Sequence, residues 1–273
     1  MTVAVGVTSF ATARVLVPIS IRNAPRSTMR TNVSGSEVPS ILGLPLVTGT
    51  LAGLAVAGAS REVDLRTSAS AAALVVVTGA GGWFDDSRGD EPVRGFKGHL
   101  RAIAGGHLTG GGVKMLVGGL GAAAVGRTLV PENAMRVGLG TALAANLANL
   151  LDRAPGRALK VAVAAAGSLL ATRPSVRPLA AASLGASLAC APADLGERGM
   201  LGDAGANPVG ALSGLTAGLA SSPRMRVALV AGLAAANLAS ERWSFSHVIG
   251  RVGWLRALDN LGRERAPNPP APC

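Results

Sequence analysis

Apolar residues run along this chain in blocks of roughly membrane length, separated by short segments that carry charges, prolines and glycines. Bounded in this way, stretches near 1–21, 38–59, 67–84, 113–130, 134–151, 158–172, 178–192, 208–222 and 226–240 predict nine helices. Blocks such as VPSILGLPLVTGTLAGLAVAGA and VKMLVGGLGAAAVG are rich in Ala and Gly, which suits close helix packing in lipid. Several blocks are short, which leaves room for a re-entrant or differently tilted span. The first block lacks a basic leading region and carries Arg14 inside its apolar part, so it reads as a span rather than a secretory signal. The expected fold is all-α, a polytopic transmembrane bundle of about nine spans. Residues 1–256 form a single membrane domain, and 257–273 form a cytoplasmic tail that ends in the Pro-rich APNPPAPC and is expected to be disordered.

Composition agrees with that pattern. Hydrophobic residues make up 49% of the chain and charged residues 15%, with a mean hydropathy of +0.41, far from an average soluble domain. A net charge of +11 raises the question of nucleic acid, but the chain has no tyrosine and only 3% aromatic residues, and its basic residues are scattered among short loops. Membrane topology accounts for them better. Alternating the spans puts 17 of the 26 Lys and Arg on one side and 8 on the other, with Arg14 inside the first span. The first side is then cytoplasmic, with the N-terminus outside and the C-terminus inside. Twelve of the 15 acidic residues also fall on the cytoplasmic side, an asymmetry the charge rule does not require. With only Cys190 and Cys273 present, neither a disulfide framework nor a CxxC metal site is available, so any metal would have oxygen ligands.

Four polar segments converge on that face: 30–45, 81–99, 146–160 and 200–210. In NLANLLD, Asn146, Asn149 and Asp152 recur at i, i+3 and i+6, within about a third of a helix circumference, so all three can face one cleft. The alternative is that Asn146 and Asn149 merely join helices by hydrogen bonds. Asp85 and Asp86 are adjacent carboxylates that repel each other unless a cation or proton lies between them; a solvated acidic loop is the plain alternative. Magnesium suits oxygen ligands shared with substrate phosphates. In GDAGANPVG, Gly202 and Gly205 permit a tight turn around Asp203, while Asn207 and Pro208 read as the N-cap and first residue of the next helix. That helix N-terminus would face an anion while Asp203 holds the metal. Arg94, Lys97, Arg101, Lys114, Arg153 and Arg157 surround these carboxylates as phosphate-pairing cations or as ordinary cytoplasmic charge, and His99 is a candidate phosphate contact.

The N-x-x-G-x-x-V-P segment (Asn32, Gly35, Val38, Pro39), the aspartate pair Asp85 and Asp86 after an apolar span, the NxxNxxD motif (Asn146, Asn149, Asp152) and the GDAGA motif (Gly202 to Ala206) follow one another in an order that resembles a known family. The chain is similar to a short, divergent member of the polyprenyl-phosphate N-acetylhexosamine-1-phosphate transferases, which include the phospho-N-acetylmuramoyl-pentapeptide transferase of peptidoglycan synthesis. The resemblance covers most of the chain. It implies a multi-pass plasma-membrane enzyme of envelope glycan synthesis with Mg2+ as cofactor and with a polyprenyl phosphate lipid and a nucleotide sugar as partners. It leaves room for a homodimer and implies no nucleic acid. On that carry-over Asp203 binds magnesium, and Asp85 with Asp86 binds metal or deprotonates the lipid phosphate. Asp152, Asn146 and Asn149 position the donor, Lys97 contacts the pyrophosphate, and Asn32 belongs with the substrate-binding residues. The run after Asp152 is DRAPG, with Pro155 near the place of the family's second, nucleoside-holding aspartate, and only His247 stands where the family has a His-rich loop. A donor other than the uridine muramoyl-pentapeptide is therefore expected. The competing expectation is a family-derived membrane scaffold without catalysis.

Overall fold

The computed structural model describes residues 1–88, 105–106 and 110–264; Arg94, Lys97, His99 and Arg101 lie outside the described residues. Among the described residues, nine long helices fall one to one on the nine apolar stretches. They are α1 (Thr2–Arg22), α2 (Gly43–Ala59), α3 (Leu65–Arg88), α4 (Gly110–Leu129), α5 (Ala134–Leu151), α6 (Arg157–Leu170), α7 (Arg177–Leu195), α8 (Asp203–Ala220) and α9 (Pro223–Ser240). Two short helices follow, α10 (Phe245–Arg251) and α11 (Gly253–Asn260). The all-α expectation holds, with one small addition: strands β1 (Met29–Thr31) and β2 (Glu37–Pro39) pair antiparallel in the α1–α2 connection, Arg30 opposite Val38. Three helices are long and apolar enough to cross a membrane, spanning Thr2–Arg22, Leu65–Ser87 and Pro174–Leu195; Gly43–Ala59 and Leu116–Leu129 are shorter apolar helices.

The bundle is built around α8. It packs against α3 and α5 most extensively and also touches α2, α6 and α7, while α1 lies between α2 and α7, and α9 rests on α5. Thirteen of the 18 residues of α8 are buried, most of them Ala, Gly and Val. Small side chains set these approaches: a Cβ at Gly210 would lie 2.5 Å from the Ala144 carbonyl oxygen, and one at Gly214 would lie 2.7 Å from the Ala144 Cβ. Helix association in an apolar solvent relies on such close backbone packing, because burial of apolar surface supplies no drive there. Leucines such as Leu46, Leu54, Leu179 and Leu215 fill the remaining core, while many other large apolar side chains face outward. Val3, Val15, Leu120, Leu139, Val161, Leu188 and Leu238 are all exposed.

Three boundaries differ from the sequence pattern. Residues 38 and 39 belong to β2, so the second helix starts at Gly43. The GDAGA helix starts at Asp203, not at Pro208: the backbone N–H groups of Gly205 and Ala206 both donate to the Gly202 carbonyl and close the first turn there. Asn207 and Pro208 therefore sit inside α8 rather than at its cap. Finally, the tail boundary drawn at 257 cuts through α11, whose Asp259 is bound to the bundle.

Candidate functional site

The C-terminal ends of α3, α5 and α7 meet the N-terminus of α8 at one end of the bundle, where the β-hairpin also lies. Two glycines make this meeting feasible. Gly202 has φ of +67°, a conformation open to glycine, and a Cβ there would lie 2.1 Å from the Ser40 hydroxyl oxygen and 2.9 Å from Asp86 Oδ2. Gly82, one turn before Asp86, lets α3 cross directly over α8, since its Cβ would lie 2.2 Å from the Asp203 carbonyl oxygen. The turn is further strapped to the hairpin. Met200 donates its N–H to the Pro39 carbonyl, and its own carbonyl accepts from the N–H groups of Ile41 and Leu42.

Asp86 Oδ2 accepts the backbone N–H of Ala204 at 3.2 Å, and Asp203 Oδ2 accepts from Asn149 Nδ2 at 3.4 Å. Asp152, just past the end of α5, accepts the backbone N–H of Gly202 and stands near Asp194, Asp203 and Asp86. The anion at the start of α8 is thus supplied by the chain itself, which suits the positive end of a helix. Some of the surface of Asp152 is exposed, but its carboxyl is enclosed by protein. Burial first, and then the charges of Asp194 and Asp203, hold its pKa well above the ordinary carboxylate range, against the Gly202 N–H that lowers it. Asp85 follows the neighbouring helical position, about 100° around α3, and is half-exposed.

The predicted site residues are therefore not all brought together. Asp86, Asn149, Asp152 and Asp203 surround one turn. Asn146 does something else: its Nδ2 donates to Asn237 Oδ1 of α9 at 2.6 Å, while Asn237 Nδ2 donates to the Leu143 and Leu233 carbonyls. This is the helix-joining role. Asn32 organises the hairpin. Its Oδ1 accepts from the Ser34 and Ser36 backbone N–H groups, and its Nδ2 donates to Glu197 Oε2 at 2.6 Å. A small pocket between these parts is lined by Asn32, Asp152, Pro155, Asp194, Glu197 and Met200, so Asn32 borders the carboxylates without joining them. Arg30 reaches the same region by donating from Nη2 to the Asp86 carbonyl.

Two features escaped the sequence pattern. Asp194, 3% exposed in the last turn of α7, accepts the Gly156 N–H at 2.9 Å and so fixes the loop after Asp152. A carboxylate at the end of an apolar run, in LACAPADL, was the available signal. The other is Asp259. It binds Arg157 through two contacts of 2.8 and 2.9 Å and Arg263 at 2.7 Å, while Lys160 donates to the Leu258 and Asp259 carbonyls. Arg157, expected beside a donor phosphate, is thereby engaged with the C-terminal helices.

Among the described residues, no three His, Cys, Asp or Glu side chains are already set to hold a metal. Magnesium asks for less, since it keeps several waters and commonly takes one or two carboxylates together with substrate phosphates. Asp86 and Asp203, which meet at the first turn of α8, supply the one or two carboxylates that such an ion would ask for. An apolar groove of about 170 Å³ runs between α5, α6, α8 and α9. Leu147, Leu151, Val161, Val209, Leu229 and Leu233 line it, and Leu151 is the residue before Asp152.

A scan of the chain against protein-family models finds no match, and a search among curated proteins finds none at a significant level of similarity.

Proposed function

We propose that this chain is a multi-pass plasma-membrane transferase of the polyprenyl-phosphate N-acetylhexosamine-1-phosphate transferase kind. It moves a sugar-1-phosphate from a nucleotide diphosphate sugar to a polyprenyl phosphate at the cytoplasmic face, in cell-envelope glycan synthesis. The observation that carries this reading is the convergence of Asp86, Asn149, Asp152 and Asp203, from three segments far apart in sequence, on the N-terminal turn of α8. Three helices of membrane length and the many exposed apolar side chains support a membrane bundle; nine crossings with the N-terminus outside are read from the apolar stretches and the loop charges. The apolar groove, whose lining includes Leu151 next to Asp152, supports an acceptor with an apolar chain and a charged head.

In the reaction, an oxygen of the lipid phosphate attacks the phosphorus that carries the sugar. A P–O bond forms there, the P–O bond to the nucleoside phosphate breaks, and nucleoside monophosphate leaves. Magnesium, when bound, screens the phosphate charges and stabilises those that build up at transfer. Asp203 and Asp86 would hold it, with Asp203 oriented by Asn149 and Asp86 by the Ala204 N–H. Asp85, half-exposed on the neighbouring position of α3, takes a proton from the lipid phosphate. Asp152, which accepts the Gly202 N–H, positions the donor. The engagement of Arg157 by Asp259 leaves the donor phosphates to other cations, of which Arg153 is exposed beside the pocket.

That same engagement favours one second reading, a scaffold derived from the family and lacking catalysis. The two part in a single assay. Purified protein given polyprenyl phosphate and a panel of nucleotide sugars releases nucleoside monophosphate in the presence of magnesium if it is a transferase. A scaffold releases none from any of them.

A further inference from the structure

We infer that residues 242–263 form an interfacial membrane anchor, in which Trp243, Trp254, Leu258 and Leu261 enter the headgroup layer of an anionic bilayer. The inference rests on the membrane reading above and not on the transferase chemistry.

Trp254, Leu258 and Leu261 recur at i, i+4 and i+7, which puts them on one face of α11 and its C-terminal extension. They are 66%, 55% and 67% exposed. The other face is committed to protein, with Leu255 half-buried and Asp259 held by Arg157 and Arg263. A helix fixed in this way cannot turn its apolar side inward, so that side needs an outside solvent less polar than water.

What covers it follows from continuity and charge. Helix α9 exposes Leu238 toward what would be lipid, and Trp243, just beyond the end of that helix, is exposed as well. All three tryptophans of the chain, Trp83, Trp243 and Trp254, are exposed, and all lie at the end of the bundle that carries the carboxylates. Tryptophan concentrates at the level where hydrocarbon meets water, because its ring is apolar and its N–H needs a polar partner. Arg242, Arg251 and Arg256 are exposed along the same segment, and Arg242 lies 5.9 Å from the Trp243 ring centre. Cations beside an inserted apolar face match anionic headgroups.

The test uses the full chain reconstituted in vesicles of phosphatidylcholine and phosphatidylglycerol, with Trp83→Phe and Trp243→Phe leaving Trp254 as the sole fluorophore. Both replacements are conservative and at exposed positions. Lipid brominated near the headgroup should quench Trp254 roughly twofold more than lipid brominated near the chain end, and aqueous iodide should quench it weakly. Iodide-accessible Trp254 in protein that floats with the vesicles overturns the anchor alone. Shielding from both quenchers, as a protein partner would give, also overturns it. Protein that does not float overturns the anchor together with the membrane reading.

Discussion

Asp86 and Ala204 are 118 residues apart, yet the Asp86 carboxylate accepts the Ala204 N–H at 3.2 Å. That contact puts the end of α3 on the start of α8, and it exists because Gly82 and Gly202 leave room for the crossing. The site is therefore a property of backbone approach as much as of carboxylates.

Enlarging Gly82 should thus damage both stability and activity. A Cβ there meets the backbone of Asp203 and Ala204, which cannot swing aside as a side chain can. Gly82→Ala should cost about 1–3 kcal/mol, the usual range for overpacking. A lowered Tm in detergent, together with lost turnover, checks it; an unchanged Tm would show that the crossing is looser than described.

Asp203→Asn keeps size and removes charge. Turnover should fall by orders of magnitude while the protein still inserts and folds, since the proposed magnesium ligand is lost. Full activity at saturating magnesium would rule out this role.

The two asparagines of NLANLLD should separate. Asn146→Ala should weaken α5–α9 association by about 0.6 kcal/mol, typical of a hydrogen bond between membrane helices, and should couple to Asn237→Ala in a double-mutant cycle. Its kcat should change little. Asn149→Ala should lower kcat, because it frees Asp203 from its orienting partner. Equal effects of the two on kcat would contradict the division of roles.

How much of this was legible in the sequence follows from such pairs. The nine apolar stretches fell on nine helices because their Ala, Gly, Leu and Val runs both form helices and bury or expose one solvent-adapted surface. NLANLLD pointed to one face, but the direction of a side chain depends on which neighbour stands opposite, and α9 brought Asn237 to Asn146. The start of α8 was misread because Asn-Pro is a strong cap signal, and Gly202, which supplies a carbonyl to two N–H groups, outweighed it. The docking of α11 rests on Asp259 meeting Arg157 across 102 residues, and no local pattern encodes that distance.

The Asp259 clamp should be sensitive to acid. Burial alone pushes this carboxyl up, but the hydrogen bond from Arg157 and the charges of Arg157, Arg263 and Lys160 bring it below its ordinary value of 3.8. A depressed folded pKa stabilises docking fully above the unfolded value. That contribution is lost as pH falls below 3.8 and through the lower folded value. Hydrogen-exchange protection factors in 245–260, corrected for the intrinsic pH dependence, should be high at neutral pH and fall once pH drops below 3.8, and Asp259→Asn should show the low protection already at pH 7. Protection independent of both changes would mean that the ion pairs do not hold these helices.

The central claim is transfer of a sugar phosphate to lipid. The most direct measurement supplies purified, reconstituted protein with polyprenyl phosphate, magnesium and nucleotide sugars labelled at the phosphorus bonded to the sugar, and then follows the label. Label should enter the lipid extract with one of these donors, in proportion to nucleoside monophosphate released, and neither should occur with Asp203→Asn. Label that stays wholly in the aqueous phase with every donor, in folded wild-type protein, would contradict it.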